Sequence, residues 1–197
     1  MYPPSRRKHA IIKKEPEARC RALPVRKETT DMDLAIKLFI QKLCALLHSE
    51  GAVLEEAHRT TVTYANPTGG PAVMVRFGDG LDICVVLNKT PRYYPQDGGG
   101  LERLEKVLGD YAAGRLVTLD YTYQTGEESK QDRAVALPDL DGLNLDGLAA
   151  LCLKTGLMTG DALRDLLAAG GCVNVRFWDR AKDFRFVQKG ASLQKIK

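Results

Sequence analysis

Between residues 52 and 88 the chain carries four short β-type stretches, at 52–56, 60–65, 72–77 and 81–87, joined by connections of only a few residues. A parallel neighbour would need a crossover of about a dozen residues or more, so these strands are expected to form an antiparallel meander. The Asn-Pro-Thr-Gly-Gly-Pro segment at 66–71 and the Gly78-Asp79-Gly80 triplet supply the reversals. Residues 83–87 are almost wholly apolar, which places that strand inside the sheet and not at its edge.

Helical spacing precedes the meander. From 31 to 49, Leu34, Phe39, Ile40, Leu43, Leu46 and Leu47 make a broad apolar face suited to packing on a sheet, with Thr30 as cap and Gly51 as stop. A loop at 89–100, rich in Pro, Tyr and Gly, leads to a second helix at 101–113. Residues 116–123 then alternate, setting Val117, Leu119, Tyr121 and Tyr123 on an apolar, aromatic face opposite Leu116, Thr118, Asp120 and Thr122. A polar loop and a short strand at 133–137 follow, then helices at about 145–154 and 160–169. A hairpin of 172–178 with 183–188 closes the pattern, and 190–197 reads as a basic tail.

This order predicts an α+β fold: an antiparallel sheet covered by helices, in one domain over 28–189 with a sub-lobe at 138–189, preceded by a flexible basic arm at 1–27. A chain of 197 residues that is 44% hydrophobic is large enough to build a core. The longest apolar run, 34–47, is broken by Lys37, Gln41 and Lys42 and falls short of the ~20 residues of a membrane span. No apolar stretch typical of a secretion signal follows the first basic residues. Five cysteines, Cys20, Cys44, Cys84, Cys152 and Cys172, lie tens of residues apart, the pattern of a reducing compartment, so a cytoplasmic location is expected.

Charge is partitioned along the chain. Residues 1–27 hold nine Lys/Arg against two Glu, and 175–197 hold seven against two Asp, whereas the region between has a net charge of −8. Clustered cations gain by releasing counterions from a polyanion or by pairing with an acidic surface. In the arm, Arg6, Arg7, Lys8, Lys13, Lys14, Arg19, Arg21, Arg26 and Lys27 are candidate phosphate contacts. Arg92, Tyr93 and Tyr94, in a proline-stiffened loop, combine a cation with aromatics on which bases stack or interfaces anchor. In the C-terminal hairpin, Arg176, Trp178, Arg180, Lys182 and Arg185 form a basic face, with Asn174, Arg176 and Trp178 on one side of the strand and Val173, Val175 and Phe177 on the other.

The residues argue against chemistry. Cys44 and His48 share a helix face, but zinc would need two further ligands, with His58 and Cys20 as the candidates, and core packing accounts for Cys44. The Asp139–Asp146 run departs from a calcium-loop template. Asp82-Ile-Cys84 lacks the second acid of a nucleotidyltransferase Asp-x-Asp strand, and Gly98-Gly99-Gly100 is not followed by Lys-Ser/Thr. No metal, no cofactor and no catalytic set is therefore expected. The sequence points to a non-catalytic protein that engages nucleic acid or a nucleic-acid-binding protein complex, and not a membrane, through basic termini and exposed aromatics. Two alternatives stand beside it. One is a small inhibitor or accessory factor of a mobile element that blocks a host defence complex, with the acidic middle imitating nucleic acid. The other is an enzyme of unrecognised type.

Overall fold

The structure, a computed structural model, describes residues 31–57, 61–70, 72–77 and 82–197. Helix α1 (Asp31–Ser49) leads into strands β1 (Val53–Ala57), β2 (Thr61–Ala65), β3 (Val73–Phe77), β4 (Asp82–Val86) and β5 (Pro91–Pro95). Helix α2 (Gly98–Ala112) is followed by β6 (Leu116–Thr122) and β7 (Arg133–Ala136), then α3 (Leu145–Thr155) and α4 (Gly160–Ala168). Strands β8 (Cys172–Arg176), β9 (Phe184–Lys189) and β10 (Ser192–Ile196) end the chain. The fold is α+β, and its strands form two five-stranded antiparallel sheets where the sequence suggested one.

The first sheet is the expected meander, in the order β1-β2-β3-β4-β5, and β4 lies inside it. Alternation sends Val62 and Tyr64, then Val73, Val75 and Phe77, then Ile83 and Val85, to one face. That face joins Phe39, Leu43 and Leu47 of α1 and Leu101, Leu104 and Leu108 of α2 in one core. Strand β5 lies within the expected loop. Its prolines stand at both ends of an edge strand, where the missing amide hydrogens cost no ladder bond inside the sheet.

The second sheet runs β10-β9-β8-β6-β7. Its Val117, Leu119, Val173, Val175, Phe184 and Phe186 pack beneath α3 and α4, against Leu148, Leu163 and Leu167. Val117, Leu119 and Val135 of β6 and β7 pack in this second core with α3 and α4, while Leu116 and Trp178 pack in the first. The expected tail at 190–197 is mostly β10, returned onto β9 by a two-residue turn in which Gly190 sits at φ +58°. Only glycine takes that first turn position without strain.

Local caps follow the sequence closely. Asp97 accepts the Gly100 N–H at 2.6 Å to start α2, Asn144 caps α3, Thr159 caps α4, and Gly156 ends α3 at φ +69°. Gly100 also sets the approach of α2 to β5, since a Cβ there would overlap the Pro95 carbonyl oxygen. Gly100→Ala is expected to remove about 3 kcal/mol of stability by pushing α2 off that edge strand, read as a lower urea midpoint at unchanged slope.

Candidate binding surface

The two sheets meet along a polar seam, and the seam decides which cations reach solvent. The face of β6 and β8 turned away from α3 and α4 carries Thr118, Asp120, Asn174 and Arg176, and the β4–β5 connection of the first sheet lies over it. Asp120 is fully buried. It accepts from Asn174 Nδ2 at 2.5 Å and pairs with Lys89 Nζ at 3.1 Å and Arg176 Nε at 3.4 Å. Glu128 closes the cluster, receiving Lys89 Nζ at 2.8 Å and an Arg176 terminal nitrogen at 3.0 Å.

The hydrogen bond from Lys89 holds the Glu128 carboxyl below the usual range despite partial burial. Burial works against the Arg176 charge, but Asp120, Glu128 and Asp183 outweigh it and raise its pKa. Asp132, also fully buried, accepts the Thr90 N–H at 2.7 Å and pairs with Arg92 at 3.4 Å. Carboxylates on the second sheet thus neutralise cations on the first, and each buried charge has its partner.

Several expected contact residues are therefore occupied. Arg92 is held by Asp132, and Arg180 pairs with Asp183 at 2.8 Å. Arg176 is spent inside the seam. Trp178 needs correction as an exposed anchor: it is 3% exposed, sits in the core of the first sheet and meets the Tyr111 ring edge-on at 6.0 Å. The residue follows β8, but the chain turns there toward the other layer. Its carbonyl accepts from Asn66 Nδ2 at 2.8 Å, fastening the layers a second time. Burial pushes the neighbouring Tyr111 hydroxyl up to about 12.

Other candidates stay at the surface. On β5 the side chains alternate: Tyr94 packs against the first core, where burial raises its pKa, while Tyr93 is 62% exposed on the opposite face. Arg185 and Lys189 lie exposed on one face of β9 and have no carboxylate partner among the described residues. Lys182 is mostly exposed and only 3.5 Å from Asp179, and Lys195 rests 3.8 Å above the Phe184 ring. The arm candidates Arg6, Arg7, Lys8, Lys13, Lys14, Arg19, Arg21, Arg26 and Lys27 lie outside the described residues, as do Cys20, His58, the Thr30 cap, the Gly78–Gly80 turn and the Cys44 side chain.

The sequence reading did not single out the end of β6. There Tyr121 and Tyr123 meet edge-on, with ring centres 5.4 Å apart, and their mutual hydrogen bond, aided by burial, raises the Tyr121 pKa. The pair forms a ridge between two clefts. One, about 400 Å³, is bounded by α4; the other, about 290 Å³, is bounded by the 127–131 loop. The available signal was the aromatic face of 116–123 running one residue past the core.

Among the described residues no group of three or more His, Cys, Asp or Glu side chains is placed to hold a metal ion, and no helix is long and apolar enough to cross a membrane. Compared with known proteins, the chain matches no protein-family model, no curated protein and no solved structure.

Proposed function

We propose that this chain is a non-catalytic binding protein that engages a nucleic-acid-containing complex, with the β9–β10 hairpin as the contact for phosphate. The observation that carries the reading is the sorting of C-terminal charge. Arg176 and Arg180 are neutralised by Asp120, Glu128 and Asp183, whereas Arg185 and Lys189 project from one strand face with no carboxylate partner among the described residues. Unneutralised cations on a rigid element release counterions when phosphate approaches, and their spacing fixes register along a backbone. Lys182 lies just before this strand, and the nine arm cations add to the same long-range attraction.

The double substitution Arg185→Glu/Lys189→Glu tests the reading. It is expected to weaken binding to labelled DNA or RNA at least ~10-fold near physiological salt and to lower the slope of log K against log salt by about 2. Both positions are exposed, so the melting temperature is expected to stay close to that of the parent. Unchanged affinity and slope would remove the hairpin from the interface.

A protein partner is the second reading, and one observation favours it. The helical layer over the second sheet, residues 137–170, carries five Asp against one Lys and one Arg. That face repels phosphate and attracts a basic protein surface.

A further inference from the structure

We infer that the cleft between the Tyr121/Tyr123 ridge and α4 receives an Arg or Lys side chain from an extended basic segment of a partner protein. The inference rests on this cleft and not on the phosphate contact proposed for the hairpin.

The lining is specific in chemistry. Ala162, Asp165 and Ala169 fall on one stripe of α4, and the small alanines leave room beside the carboxylate, with Met158 contributing to the apolar lining. The opposite wall is the edge-on tyrosine pair, whose outer ring, Tyr123, is 46% exposed. On the same helical layer Asp146 and Asp161 share Arg164, but Asp165 has no ion-pair partner among the described residues. An aromatic wall facing an unneutralised carboxylate suits an organic cation. The ring faces attract the charge, and the apolar lining takes the aliphatic stem.

The alternatives fit less well. A neutral apolar occupant would strip water from Asp165 and return nothing to it. Phosphate would meet Asp165 on one side of the ridge and Glu127 and Glu128 on the other, with Lys130 as the only cation lining the second cleft. The volume of about 400 Å³ is at the lower end for a ligand site and is ample for one long side chain together with the backbone that carries it. A second cleft lies on the other side of the ridge, within reach of an extended chain but not of a small free ammonium held in the first. Glu127 there also has no ion-pair partner among the described residues, so a second basic residue of the segment has a carboxylate to meet.

The test is a titration of the full-length protein with a short fluorescent peptide alternating Arg and Gly, beside a Gln-Gly peptide of equal length, with free arginine and spermidine as competitors. The Arg peptide is expected to bind at least about tenfold tighter than the Gln peptide. Tyr123→Ala and Asp165→Asn should each weaken it about five- to tenfold, while Tyr123→Phe, which keeps the ring face, stays within about twofold. Both side chains are exposed, and unchanged melting curves would show that the variants fold. The Arg185→Glu/Lys189→Glu variant is expected to bind the peptide at least as tightly as the parent, so this inference and the phosphate reading fail separately. Equal binding by the Tyr123→Ala and Asp165→Asn variants would overturn the inference. So would competition by free arginine or spermidine at concentrations comparable to the peptide, or preference for nucleic acid at this cleft.

Discussion

Asp120→Ala is expected to be among the most damaging single substitutions in the second sheet, lowering stability by about 3–5 kcal/mol. The carboxylate is fully buried and simultaneously serves Asn174, Lys89 and Arg176. Removing it leaves the Asn174 and Asn88 amides without their shared acceptor and takes from Lys89 and Arg176 their buried carboxylate, with Glu128 and Asp183 left to them at the rim, and the penalty comes from these unmatched groups more than from the lost attraction. Against a typical total of roughly 5–15 kcal/mol, this brings the protein near its unfolding threshold. Asp120→Asn retains an acceptor oxygen of the same shape and is expected to lose less. Chemical denaturation of both variants checks the order, and a midpoint for Asp120→Ala equal to that of the parent would mean that the seam does not tie the sheets together.

Trp178→Ala should cost a similar amount, about 3–5 kcal/mol, for a different reason. The indole fills space between α2 and the first sheet and contacts Tyr111, so alanine leaves a cavity in the first core at the point where the second half of the chain plugs into it. The comparison with Tyr93→Ala is diagnostic. Tyr93 is 62% exposed, and its loss is expected to change stability by no more than about 0.5 kcal/mol. If Trp178 instead served as a surface anchor, its substitution would weaken partner binding with little change in melting temperature. The opposite result is expected: a large fall in melting temperature, with the affinity of the folded fraction preserved.

These residues also show what a sequence can and cannot convey. The meander was legible because short turns leave antiparallel pairing as the only option, and α1, α2, α3 and α4 because of apolar spacing, reinforced in α1 by the Gly51 stop. Strand β5 was not, because two prolines in five residues resemble a loop until the edge position that tolerates them is known. Strand β10 was hidden by its short length and by Lys195, a residue type ordinary on an edge strand and equally ordinary in a tail.

The site suffered from a deeper ambiguity. Alternation at 172–178 correctly separated Val173, Val175 and Phe177 from Asn174, Arg176 and Trp178. Alternation cannot say whether a polar face meets water or another layer with matching charge. Asp120, Glu128 and Lys89, from distant parts of the chain, turn that face into an interior seam, and no local pattern marks them as partners. Arg185 and Lys189 were indistinguishable in sequence from Arg176 and Arg180. Their difference is that no carboxylate among the described residues is brought to them.

The measurement that bears most directly on the binding account is fluorescence anisotropy of labelled single- and double-stranded DNA and RNA with the full-length protein, from low to near-physiological salt. The account predicts micromolar or tighter binding to at least one of these, weakening log-linearly with salt at a slope that counts the phosphates engaged. Absence of binding even at the lowest salt would contradict it.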